Sequence, residues 1–153
     1  MLNRSGVVLM LLGCVACRDP RAYDRARAAI EQNQLDSLAA AVGRRDPDAL
    51  TGERRPLLAI ATSGRNAAAV DWLLRRGADV DAPVAGSYGA TALMMAAGNN
   101  DTVLVERLLT AGADVNARDR NGDGALNWAA YDGLVPMAER LLRHGADPLV
   151  TGH

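Results

Sequence analysis

Arg107-Leu-Leu-Thr-Ala-Gly-Ala-Asp-Val-Asn-Ala117 decides the fold, because the chain repeats it. Copies stand at Trp72-Leu-Leu-Arg-Arg-Gly-Ala-Asp-Val-Asp-Ala82 and at Arg140-Leu-Leu-Arg-His-Gly-Ala-Asp-Pro148. The glycines Gly77, Gly112 and Gly145 lie 35 and 33 residues apart. Working back from each, Leu58, Leu93 and Leu126 fall into register, as do Ala61, Ala96 and Ala129. A register kept through both halves of a unit marks a repeat architecture.

Each unit holds two short apolar stretches with helical spacing. In one they are Leu93, Ala96 and Ala97, then Val103, Leu104, Leu108 and Leu109. Leu104 and Leu108 are four residues apart and share a helix face. Gly112 follows where a helix C-terminus calls for a left-handed residue, and Thr91 can cap a helix start. Apolar content is 49 %, but Phe is absent. Ala, Leu and Val carry most of it, and small side chains suit closely stacked helices. A lone helix pair cannot bury its apolar face, so successive pairs must stack.

These residues resemble the ankyrin repeat, whose pattern runs Gly-x-Thr-Pro-Leu-His-x-Ala-Ala, a second helix, then Leu-Leu-x-x-Gly-Ala-Asp-Val-Asn. The match covers about residues 54–148. The opening is degraded to Pro56-Leu-Leu-Ala, Thr91-Ala-Leu-Met and Gly124-Ala-Leu-Asn. The resemblance implies an all-α solenoid of about four helix-turn-helix units with short β-hairpin loops. Residues 21–50 read as a divergent N-terminal capping unit, with helices over Ala22–Glu31 and Leu35–Val42, Asn33 in the turn, and Arg44-Arg45-Asp46-Pro47 in place of the usual ending. The further units are 51–83, 84–118 and 119–153.

The N-terminus reads as a targeting segment. Arg4 precedes a short apolar run, and Arg18-Asp19-Pro20 stops it. The run is far below the roughly 20 residues of a membrane-spanning helix and fits the core of a signal peptide. Leu11-Leu12-Gly13-Cys14 resembles the bacterial lipobox, which implies a signal peptide over 1–13, a lipid on Cys14 and a short tether over 14–20. Modification of Cys17, ordinary cleavage after Ala16, and a strained Cys14–Cys17 disulfide are the competing readings. The leading expectation is a lipoprotein facing the bacterial periplasm, on the outer rather than the inner membrane; soluble export is the alternative.

Ankyrin proteins bind through hairpin tips and the exposed face of each first helix. Carried onto this chain, the resemblance implies a partner-binding set of Arg55, Ile60, Tyr88, Met95, Asn99, Arg120, Asn121, Asp123, Trp128, Tyr131 and Asp132. Gly52, Glu53, Ser63, Ser87, Ala90 and Gly98 lie at the same variable positions. Trp128 and Tyr131 are three apart on one helix and project together, and aromatic side chains are common interface anchors. Packing against loops is the competing role for these rings, and packing is the expected role for Trp72. The loop Asp81–Ala90 reads either as a partner contact or as a tolerated insertion.

Other chemistry finds little support. Net charge is −1, so no global field draws nucleic acid. Asp119-Arg-Asn-Gly-Asp-Gly124 resembles the start of a calcium loop, but Ala130 stands where the bidentate acid belongs. Asn-Gly there suits a tight turn. His144 and His153 are the only histidines, and no Cys/His spacing supports zinc. The expectation is a monomeric, non-enzymatic module without metal or cofactor, binding an unidentified protein as an immunity or inhibitor protein, or as a scaffold or stress-protection partner.

Overall fold

Asn66, Thr91 and Asp101 start helices for one reason: each side-chain oxygen accepts a backbone N–H three residues on. Asn66 takes that of Ala69 at 3.0 Å, Thr91 that of Met94 at 3.4 Å and Asp101 that of Leu104 at 3.0 Å. The computed structural model describes residues 21–48 and 55–149. Cys14, Cys17, the apolar N-terminal segment, Gly52 and Glu53 lie outside the described residues.

Within them the chain forms helices α1 (Ala22–Glu31), α2 (Leu35–Val42), α3 (Leu57–Ser63), α4 (Ala67–Arg75), α5 (Ala92–Gly98), α6 (Thr102–Thr110), α7 (Ala125–Tyr131) and α8 (Val135–Arg143). The turns inside the pairs centre on left-handed residues, namely Asn33, Arg65, Asn100 and Gly133. Asn and Gly tolerate that conformation; Arg65 adopts it at φ 52°.

The pairs stack as the repeat requires. First helices α1, α3, α5 and α7 pack in succession, with α2, α4 and α6 behind them. Leu73, Leu108 and Leu141 are completely buried, as are Leu57, Leu93, Ala61, Ala96 and Ala129. Each buried Leu contributes on the order of 1.5–3 kcal/mol, and shared seams let short helices hold together.

The connecting loops differ from the expected β-hairpins. Among the described residues none carries a strand ladder. Backbone turns close the described tips instead. The Val84 N–H donates to the Ala90 carbonyl at 2.9 Å, and the Asp119 N–H to the Asp123 carbonyl at 2.9 Å. Gly86, Tyr88 and Gly89 all have positive φ, which breaks the extended run a ladder needs.

Two side-chain ladders tie one unit to the next. At the turn ends, Asp48 Oδ2 accepts the N–H of Asp79 at 2.5 Å, Asp81 accepts that of Asp114, and Asn116 Oδ1 accepts that of Asp147 at 2.8 Å. Asp46, Asp79, Asp114 and Asp147 each hold the N–H two residues on, at 2.9–3.0 Å. The first unit thus keeps the hydrogen-bonding chemistry of the common ending although its letters differ. Behind, Arg107 pairs with Asp71, and Arg140 with Glu106 at 2.5 Å.

Candidate functional site

The loop tip of the last unit is built around Asp119, which is buried. Its Oδ1 accepts the N–H groups of Asn121 at 2.8 Å and Asp123 at 3.1 Å, folding the chain into a tight polar turn. Its Oδ2 accepts from Trp128 Nε1 at 3.4 Å, so the tip and helix α7 hold each other. The residues that suggested a calcium loop are therefore committed to a turn. Among the described residues, no three His, Cys, Asp or Glu side chains converge as metal ligands.

Tyr131 stands one turn beyond Trp128 and is 71 % exposed. Its hydroxyl donates to Asp123 Oδ1 at 3.1 Å. That bond, with the negative charge of Asp123, raises the phenol above its ordinary range, because ionisation would set two anions together. Trp128 is half-buried and leans on the preceding unit: a Cβ at Gly98 would lie 3.1 Å from its Cε3. The glycine makes room for the ring where two first helices meet.

Tyr88 is 65 % exposed at the tip of the preceding loop. Its carbonyl accepts the N–H of Arg120 at 2.7 Å. The loop Asp81–Ala90 is thus fastened to its neighbour, and Val84 is buried beneath it. Arg120, Asn121, Asn99 and Asp132 are exposed alongside. Asn99 also serves a seam, since its carbonyl accepts from Arg65 Nη2 at 2.6 Å. Arg55 and Met95 meet across two units, with Arg55 Nη2 2.8 Å from Ser63 Oγ and 3.8 Å from Met95 Sδ. The carbonyl of Arg55 accepts the Tyr23 hydroxyl at 2.9 Å.

The structure therefore sorts the set implied by the resemblance. Tyr88, Asn99, Arg120, Asn121, Tyr131 and Asp132 are open to solvent; Arg55, Met95 and Trp128 are half-buried and partly engaged. Ile60 and Asp123 are buried. Ile60 sits in a seven-residue helix between α1 and α5, with Leu57 to Thr62 all enclosed. Asp123 is drawn inward by the turn. Trp72 packs half-buried against the core, with the Arg76 guanidinium 5.2 Å from its ring centre.

Sequence reading did not single out Asp48, Asp81 and Asn116 as acceptors between units. Their signal was present: an Asp or Asn two residues after Asp46, Asp79 and Asp114. It reads as turn composition until the stacking shows which N–H each one meets.

A family model described as "Ankyrin repeats (3 copies)" matches residues 26–119 and again 57–151. The chain is 46 % identical over 79 residues to the mouse B-cell lymphoma 3 protein homolog, covering 52 % of this chain and 17 % of that protein. It is 40 % identical over 113 residues to the human B-cell lymphoma 3 protein, covering 74 % and 24 %. It is 36 % identical over 126 residues to the ankyrin repeat domain-containing protein SAT10 of Stachybotrys chartarum, covering 76 % and 6 %. The chain thus spans less than a quarter of the length of these relatives. With a helix-pair solenoid and a matching family model over most of its length, the chain belongs to the ankyrin-repeat family, and its array is a protein–protein interaction module.

Proposed function

We propose that this chain is an exported, lipid-anchored binding protein that holds a protein partner by surface complementarity and performs no reaction chemistry of its own. The observation that carries the binding face is the pair Tyr88 and Tyr131. Both rings are largely open, Tyr88 on one loop tip and Tyr131 at the end of α7 with its hydroxyl on Asp123 of the neighbouring tip, and the Tyr88–Arg120 backbone bond links the two tips. Large rings that the array's own packing does not consume are the side chains from which interfaces draw anchors. Exposed Asn99, Arg120, Asn121 and Asp132 supply a polar rim around them.

Export rests on the N-terminal apolar run and on Leu11-Leu12-Gly13-Cys14. A lipid on Cys14 would place the array close to a membrane surface, facing the periplasm. In that position it acts as an immunity or inhibitor protein, covering the working surface of an exported toxin or hydrolase.

The test captures partners of the full chain from periplasmic extract, beside a Tyr88→Ala/Tyr131→Ala variant. The expected result is one prominent protein, reduced at least tenfold by the double change while thermal stability is kept. Undiminished capture by a folded variant would remove this face. Assay of the captured protein separates the uses: activity suppressed in the complex supports inhibition, and full activity indicates a scaffold. Radiolabelled palmitate should enter the wild type and not Cys14→Ser; equal labelling would remove Cys14 as the anchor.

A further inference from the structure

Arg65 stands where an arginine suits the backbone poorly. At the same point of the other helix pairs are Asn33, Asn100 and Gly133, residue types that tolerate positive φ, whereas Arg65 adopts φ 52° with a long side chain. An unfavoured backbone that is kept points to a use of the side chain itself. That side chain is exposed, and its Nη2 donates to the Asn99 carbonyl at 2.6 Å.

Arg55 precedes α3 as Arg65 follows it, and it reaches the same neighbouring helix. Its Nη2 donates to Ser63 Oγ at 2.8 Å and lies 3.8 Å from Met95 Sδ. Its Nε is buried and meets no acceptor. Met95 lies in α5 and Asn99 caps its end, four residues on, so the two share a face. The two guanidinium groups therefore lie against one side of α5, with contact points about 6 Å apart along its axis.

Among the described residues no carboxylate meets either guanidinium. The acids on the elements around them are used elsewhere. Glu31 pairs with Arg27 at 2.8 Å, Asp71 pairs with Arg107, Asp101 caps α6, and Asp123 accepts the Tyr131 hydroxyl. Arg55 is half-buried, and a cation drawn out of water is costly until an anion meets it.

We propose that Arg55 and Arg65 seat an acidic segment of the protein partner, one carboxylate on each guanidinium along α5. The proposal deepens the binding reading given above and rests on it. Ser63, Gly98 and Tyr131 hold one register position in successive units. The cations and the open Tyr131 ring thus stand two units apart on one face, roughly 20 Å at the usual spacing of packed helices. Guanidinium groups match carboxylate geometry, and charge at one end of a face with rings at the other fixes which way a partner lies. A net charge of −1 supplies no field for a long polyanion, which favours a short acidic run in a protein over nucleic acid.

The test follows fluorescence polarisation of labelled hexaglutamate with the full chain in non-ionic detergent at low salt, beside hexaglutamine and hexathymidylate. Hexaglutamate should bind, hexaglutamine should not, and added salt should weaken the complex. Arg55→Gln and Arg65→Asn should each weaken it at least fivefold, and Arg75→Gln, an exposed arginine of α4, should leave it unchanged. Arg65→Asn should melt no lower than wild type, because it supplies the residue that other turns use. Absence of hexaglutamate binding, equal loss in Arg75→Gln, or tighter binding of hexathymidylate would overturn the proposal. Capture from periplasmic extract separates this seat from the face that carries it. The Arg55→Gln/Arg65→Asn double variant should lose the partner at least tenfold. If it keeps the partner while Tyr88→Ala/Tyr131→Ala loses it, the face stands and the acidic seat falls; if the tyrosine variant also keeps it, the face itself falls.

Discussion

Both carboxylate oxygens of Asp81 lie 3.2 Å from the backbone nitrogen of Asp114, so the turn of one unit is the hydrogen-bond acceptor for the turn of the next. Burial holds the Asp81 carboxyl above its usual range; the Asp114 N–H pulls it down, while the charges of Asp114 and Asp79 push it up. A raised carboxyl means the folded state keeps its proton more tightly than the unfolded chain. The charge therefore weakens the fold at pH values above the folded pKa, and the effect vanishes below the unfolded value of about 3.9.

Asp81→Asn should keep the acceptor and remove the charge, as Asn116 already does for Asp147 at 2.8 Å. The variant should melt higher than wild type at neutral pH, with the difference shrinking as pH falls through the carboxylate range. Asp81→Ala removes the acceptor and should cost about 1 kcal/mol. Thermal melts over a pH series read both; an Asn variant that melts lower at neutral pH would break the argument.

Glu106 has the opposite sign. Its hydrogen bond to Arg140 is the largest influence and lowers its carboxyl, with His144 adding to the effect from 3.3 Å. A lowered carboxyl stabilises the fold at neutral pH, and that contribution is lost as pH falls through the folded pKa. The pair is only partly shielded from solvent, so Arg140→Ala should cost about 0.2–1 kcal/mol through the ion pair. It should also move the Glu106 titration, followed by NMR, up towards the ordinary value. An unmoved titration would mean that the two side chains do not meet in solution.

Leu108 and Leu142 test how the stack divides its stability. Leu108 is completely buried where α6 packs between neighbouring units, whereas Leu142 is 42 % exposed on the last helix. Leu108→Ala should cost about 2–5 kcal/mol by leaving a cavity. Leu142→Ala should cost less than about 1 kcal/mol. Urea unfolding of the two variants measures the contrast; equal losses would show that the last unit is as enclosed as the interior.

Gly112 isolates a backbone effect. It adopts φ +93°, and a Cβ built there meets nothing within 4 Å. Gly112→Ala therefore introduces no clash, only an unfavourable left-handed residue, and should destabilise by roughly 1 kcal/mol or more. A variant as stable as wild type would show that the turn relaxes freely. The same position is where the repeat is most legible as sequence.

What could be read from the chain alone divides along that line. Helix pairs follow from local properties, so α1 and α2 appear over Ala22–Glu31 and Leu35–Val42 as the sequence predicts, and Tyr23, Ala26, Ile30 and Leu38 form their inward face. Which exposed-looking position turns inward depends on neighbours distant in sequence. Ile60 sits at a variable position of its unit, yet α1 and α5 enclose α3 from both sides. Asp123 looks like a polar loop residue, yet Asp119 draws its N–H inward and Tyr131 takes its carboxylate. Hydrogen bonds between units, such as Asp48 to Asp79, join residues 31 apart and have no local signature beyond composition.

Trp128 and Tyr131 separate packing from recognition, although they share one helix face. Trp128 fills the space beside Gly98 and donates to Asp119, so Trp128→Ala should destabilise by about 1–3 kcal/mol, less than for a wholly buried ring. Tyr131 touches the array mainly through its hydroxyl, so Tyr131→Phe should cost no more than that one bond, about 0.5–1.5 kcal/mol. Asp123→Asn removes the anion beside the phenol and should return the tyrosine to its ordinary titration range, read from phenolate absorbance. Loss of partner capture in the Tyr131 variants then reports a contact made by the ring. The same loss in Trp128→Ala mixes binding with a loosened loop tip. If Tyr131→Ala lowers the melting temperature as much as Trp128→Ala, the exposed ring is a structural support and the anchor must be sought at Tyr88.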